Sequence, residues 1–172
     1  MSPMVPTPRA MHALLLALLL PAALAIGLPA QAADPPAVVS HVKSAARFED
    51  VRDDLQAAIE GQGLVIDSRS HIQRMLERTG KDLGATREVY RDAESFQFCS
   101  ARLSRRMMEA DPTNVAMCPF SVAVYVTADR PDAVVVAYRR PWRADATPAA
   151  AAALKDIEAL LERIAREALG RK

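Results

Sequence analysis

The sequence predicts an α+β domain, a compact two-layer sandwich in which helices cover one face of a mostly antiparallel sheet and a long helix ends the chain. Three observations carry that reading. Two β-branched runs, "FSVAVYVT" and "AVVVAYR", flank "ADRPD" and read as an antiparallel hairpin of Phe120 to Thr127 with Ala133 to Arg139. Stretches of helical spacing alternate with strand-like stretches instead of segregating into separate halves. Leu154, Ile157, Leu161 and Ile164 form one long apolar stripe after Thr147 and Pro148, a cap and a first-turn proline, and Gly170 closes it.

The segment from Met1 to Ala32 reads as a secretory signal peptide rather than as part of the fold. Arg9 and His12 precede an apolar run from Ala13, and "PAQA" puts Ala30 and Ala32 at the small-residue positions of a cleavage site after Ala32. Pro21, Gly27 and Pro29 interrupt a run already short of the roughly 20 apolar residues of a membrane span. The expectation is a periplasmic or secreted protein, not membrane-embedded, with a single domain over residues 33–172. A chain of that length is enough for one real core.

Arg9 is the only formal charge in the leader, so the rest has 21 basic and 21 acidic residues. That balance argues against nucleic acid or an anionic membrane surface as a partner. Arginine outnumbers lysine 18 to 4. Guanidinium forks suit anions, but codon bias toward arginine and alanine explains the same excess.

The elements follow in order. "AVVSHVKSA", Ala37 to Ala45, suits a first strand. Phe48, Val51, Leu55, Ala58 and Ile59 recur at helical spacing up to a stop near Gly61 or Gly63. "GLVIDS", Gly63 to Ser68, reads as a second strand, and Ile72, Met75 and Leu76 as the stripe of a short helix ending around Gly80. In "ESFQFCSA", Phe96 and Phe98 alternate with Gln97 as in a half-buried strand. Ser100 caps the next helix, with Leu103 and Met107 on its apolar side, until Asp111 and Pro112 end it. Trp142, in the connector "PWRADA", is expected to pack beneath the last helix, which needs something to cover. Exposed, it would mark a partner surface.

The words "FEDVRDDLQAAIEGQGLVI", "FCSARLSRRMMEADP", "CPFSVAVY" and "VVAYRRP" together resemble the bacterial domain of unknown function 302 (DUF 302). The resemblance covers roughly Val38 to Pro141 and leaves the C-terminal helix outside or at its margin. The first word is a generic amphipathic helix leading into a strand; the "FCSA…ADP…CPF…VY" series is far more specific. The resemblance implies a compact two-layer α+β fold and leaves the biochemical role open. Exported members with this pair of cysteines look like those of bacteria that live by inorganic sulfur or respiratory chemistry.

Cys99 and Cys118 are the two cysteines of the chain, one ending a strand and the other preceding one. If those strands are antiparallel neighbours, a bridge with Cα atoms about 5.5 Å apart is feasible. In an oxidising compartment such a pair reads first as a structural disulfide, contributing about 3 kcal/mol in the chain-entropy model. The second reading is a redox or sulfur-transfer protein in which Cys99, just ahead of a helix start, attacks and Cys118 resolves. These two residues are also the candidates for any catalysis.

The third reading is a copper or haem handling site from His71, Cys99 and Cys118 with a methionine, on the softness of the ligands alone. Zinc and c-type haem signatures are missing, as are a nucleophile elbow, a dinucleotide loop and a phosphate loop. Asp53 and Asp54 read as a solvated helix face. A ligand site would draw on His71, Met75, Arg78, Arg102, Arg106, Met117, Tyr125, Arg139 and Arg140, which fits a small anionic ligand or a periplasmic protein partner, with a homodimer as a further arrangement. The leading expectation is an exported accessory or binding protein rather than an enzyme, with no cofactor.

Overall fold

The computed structural model describes residues 34–171. The signal peptide read in Met1 to Ala32, with its cleavage point, lies outside them. The elements are β1 (Val38–Ser44), α1 (Phe48–Gly61), β2 (Ile66–His71), α2 (Ile72–Asp82), β3 (Tyr90–Phe98), α3 (Ala101–Ala110), a 3-10 helix (Pro112–Met117), β4 (Phe120–Thr127), β5 (Ala133–Arg139) and α4 (Pro148–Glu167).

The five strands form one sheet in the order β1-β5-β4-β3-β2, with every neighbouring pair antiparallel. The hairpin of β4 with β5 has the predicted bounds. Residues of β4 alternate between buried and half-buried, as a period of two requires when one face meets the core. Phe96, Phe98, Phe120, Val122, Val124, Val136 and Tyr138 from that face enclose the core with Val51, Leu55 and Ile59 of α1, Leu103 and Met107 of α3, and Leu154, Ile157, Leu161 and Ile164 of α4. Burying each large side chain of this kind is worth about 1.5 to 3 kcal/mol. The other face, with Ser95, Ser121, Ala123, Tyr125, Val135 and Ala137, contributes nothing to that core.

α4 begins as expected. Thr147 accepts from the Ala150 amide at 3.2 Å, Pro148 opens the first turn, and Gly170 has a φ of 69°, the left-handed conformation a helix end requires.

Several boundaries differ from the sequence reading. β2 runs from Ile66 to His71 rather than from Gly63 to Ser68, because Gly63 turns at a φ of 72° and pairing with β3 continues to His71 opposite Glu94. β3 begins at Tyr90, ahead of "ESFQF", since its ladder with β4 extends to Thr127 through an irregularity between Tyr90 and Asp92. α2 continues past Gly80 to Asp82; the turn comes instead at Gly84, whose φ is 65°. The stripe of α2 is not a core stripe: no residue of that helix is buried. Trp142 is 40% exposed rather than packed beneath α4, whose buried side is already filled by the sheet and by its neighbouring helices.

Candidate functional site

The "FCSA…ADP…CPF" stretch becomes a tightly fastened corner at one end of the sheet. β3 and β4 are antiparallel neighbours with Phe98 opposite Phe120, so the residues just beyond them, Cys99 and Cys118, come out at the same end. Their Cα atoms are 6.4 Å apart and their sulfurs lie at disulfide distance, 2.16 Å. Between them Ser100 caps α3, accepting from the Leu103 amide at 3.5 Å, and Asp111 caps the 3-10 helix, accepting from the Thr113 amide at 2.9 Å. Asn114 is fully buried and donates from Nδ2 to the Met107 carbonyl at 2.9 Å, tying the 3-10 helix to the end of α3. The Ser104 hydroxyl lies 3.7 Å from Cys118 Sγ, and the Cys118-Pro119 peptide bond is cis.

A second fastening comes from the connector between β5 and α4. Arg143 donates from Nη1 to Asp111 Oδ2 at 2.9 Å, Asn114 Oδ1 at 2.9 Å and Thr113 Oγ1 at 2.6 Å, while its other nitrogens hold Asp145. Hydrogen bonds from the Thr113 hydroxyl and amide, reinforced by Arg143, hold the Asp111 carboxyl below the ordinary carboxylate range. One residue before Arg143 stands Trp142.

The two fastenings frame a surface groove of about 470 Å³. It is lined by Asp34, Pro35, Pro36 and Ala37 ahead of β1, Ala116 and Met117 of the 3-10 helix, Arg139 and Arg140 at the end of β5, and Trp142. Met117 and Arg139 also line a smaller recess with Pro119 and Phe120 next to Cys118. Arg140 donates to Glu158 of α4 at 2.7 Å. Arg139 is exposed and has no carboxylate at ion-pair distance among the described residues. The arrangement offers an aromatic plate, a flexible thioether, a proline wall and one uncommitted guanidinium, which together suit an anionic group carried on an apolar body.

Three of the predicted ligand residues, Met117, Arg139 and Arg140, therefore meet in one place. The others do not join them. Arg106 pairs with Asp156 of α4, and Arg102 lies exposed on α3. Tyr125 stands on the sheet face away from the core, edge-on to Tyr90 at 5.5 Å between ring centroids. Met75 and Arg78 are exposed on α2. Sequence reasoning missed Trp142 and the Asp34 to Ala37 segment as groove walls. The exposed alternative for the lone tryptophan was the available signal.

The set of His71 with the cysteines does not assemble. His71 pairs with Glu94 across the ladder, its Nδ1 lying 3.3 Å from Glu94 Oε1, and Cys99 is five positions further along the chain, roughly 17 Å away at strand spacing. Glu94 also takes an ion pair from Arg69, whose guanidinium sits 5.1 Å over the Phe96 ring. Among the described residues no group of three His, Cys, Asp or Glu side chains is placed to hold a metal ion.

The second imidazole has a different role. His41 Nε2 of β1 lies 2.8 Å from Glu162 Oε2 of α4, and the Tyr138 hydroxyl donates to the same oxygen at 3.0 Å. Burial raises the Glu162 pKa, but hydrogen bonds from His41 and Tyr138 and the nearby positive charges outweigh it and leave it lowered. Burial and the Glu162 hydrogen bond push the Tyr138 phenol well above its ordinary value. This cluster joins an edge strand to the last helix.

A five-stranded antiparallel sheet with three helices on one face and a cysteine pair tying β3 to β4 defines a two-layer α+β domain with a surface groove at one end of the sheet. The chain belongs to the family described as domain of unknown function DUF302, whose profile matches residues 40–168. The match runs through α4 and so beyond the limit near Pro141 that the quoted words alone support. The fold is similar to that in the crystal structure of the uncharacterized conserved protein DUF302 from Bacillus stearothermophilus, with a TM-score of 0.61 at 11% sequence identity, covering 77% of this chain and 98% of that one. No curated protein matches this sequence. Among the described residues no helix is long and apolar enough to cross a membrane.

Proposed function

We propose that this chain is an exported binding protein that holds a small anionic amphiphile in the Trp142 groove, with the Cys99 and Cys118 bridge as a structural staple beside it. One observation carries the reading: Trp142, 40% exposed, shares a groove with Met117 and the uncommitted Arg139. An exposed aromatic next to an unpaired guanidinium offers an apolar and a cationic contact side by side, and an anion with an apolar tail engages both groups. Export is supported by the leader, and in the oxidising space it leads to a lone cysteine pair is oxidised by default.

Trp142 is the single tryptophan, so its fluorescence reports occupancy directly. Titration with octanesulfonate and octanoate is expected to give a saturable change, with octylamine and a neutral octyl glucoside giving none. Arg139→Ala should weaken binding by about tenfold or more, the worth of a charge-assisted hydrogen bond. Equal responses to all four probes, or none to any, would overturn the reading.

A second reading rests on the placement of Cys99, one residue before the cap of α3. There the helix amides favour a thiolate, which suits reversible exchange in which a partner dithiol is oxidised as the bridge is reduced to two thiols. The reduction potential separates the two. A value below about −300 mV means a staple, and one near about −200 mV means a working pair.

A further inference from the structure

The segment from Ile72 to Val89 leaves the β2 edge of the sheet and returns to β3 without burying a single residue. Its apolar side chains are nevertheless ordered as a face. Ile72, Met75, Leu76 and Leu83 recur at helical spacing, Leu83 is 81% exposed, and Leu76 and Leu83 line a mostly apolar groove of about 420 Å³ with Ala85, Val89 and Tyr90. An isolated helix as short as the 11 residues of α2 is marginal in water and needs its apolar face covered.

The charges say what covers it. Arg78 and Asp82 lie one turn apart on one flank of α2, and neither side chain has an ion-pair or hydrogen-bond partner among the described residues. If a second α2 crosses antiparallel about a twofold axis on the flank that carries them, Arg78 of each copy meets Asp82 of the other. The whole segment carries Arg74, Arg78, Lys81 and Arg87 against Glu77, Asp82 and Glu88, a nearly balanced set that fits a copy of itself better than an anionic surface. We infer that α2 and the segment after it form the interface of a homodimer, with α2 packed antiparallel on α2 of the second copy.

Sedimentation equilibrium on the chain produced in an exporting host, across about 1 to 100 μM, tests this. The expected species has the mass of two chains. Leu76→Glu should give monomers throughout the range, and Arg78→Asp should weaken the dimer by about tenfold, since it sets like charges face to face twice. Combining Arg78→Asp with Asp82→Arg should restore the wild-type constant. A monomeric wild type would overturn the inference. So would a dimer that survives Leu76→Glu, which would place the interface elsewhere. A third overturning result is a monomer that binds phosphatidylglycerol vesicles through Leu76, which would make α2 a membrane-surface helix.

Discussion

Arg143 Nη1 lies 2.9 Å from Asp111 Oδ2, joining the connector before α4 to the cap of the 3-10 helix. The pair sets the distance between two walls of the groove, since Trp142 is next to one partner and Met117 belongs to the helix that the other caps. Arg143→Lys keeps the charge but loses the fork that reaches Asp111, Thr113, Asn114 and Asp145 together. The expected result is a red-shifted, more quenchable Trp142 emission and weaker amphiphile binding, with the helical circular dichroism unchanged. An unaltered emission would remove Arg143 from any positioning role.

The Glu162 carboxyl titrates below its ordinary 4.5 in the folded chain, so its deprotonated form is favoured by folding. The stability it contributes is full above its unfolded value and is lost as pH falls through the lowered folded value. Asp111, lowered from 3.8, acts in the same direction. Urea midpoints measured between about pH 6 and pH 3 should therefore fall with acid, and Glu162→Gln should flatten the upper part of that fall.

At the alkaline end the sign reverses. The Tyr138 phenol is held above its ordinary 10.0, so the unfolded chain ionises first and stability declines as pH rises past 10. Tyr138→Phe should lower stability at neutral pH, because it removes the bond to Glu162, and should reduce the alkaline decline. A wild type no steeper than the variant above pH 10 would contradict the buried phenol.

Replacing both cysteines by serine opens a bridge with a sequence separation of 19 and should cost about 3 kcal/mol by chain entropy, read from urea denaturation. Retention of amphiphile binding by the folded double variant is the outcome expected of a staple. Loss of function with little loss of stability would favour the redox reading.

Leu161, 1% exposed in the centre of α4, tests whether that helix is part of the domain rather than an appendage. Leu161→Ala should cost about 2 to 5 kcal/mol in the same denaturation experiment, the range for a core leucine.

Much of this architecture was legible because it is local. The β4 and β5 hairpin, the Thr147 and Pro148 start of α4 and the Ser100 cap each rest on a short run of residues whose periodicity or capping chemistry acts over a turn or two. Even the approach of Cys99 to Cys118 was within reach, since it needed only that β3 and β4 be neighbours. The missed boundaries lie where pairing overrides local signal. Nothing in "YRDA" announces a strand, yet the ladder with β4 draws Tyr90 to Ala93 into one.

By itself the sequence determined the element types, the antiparallel character of the sheet and the pairing potential of the cysteines, because these follow from side-chain spacing and short-range backbone geometry. Only the tertiary structure decided that β1 lies beside β5 at the edge opposite β2, that α2 is left uncovered, and that Asp34 to Ala37, Met117, Arg139 and Trp142 enclose one groove. The reason is distance along the chain. Those walls come from three segments well separated in sequence, and they meet because the hydrophobic core fixes the sheet order, a term that is non-directional and leaves no mark in any single stretch of sequence.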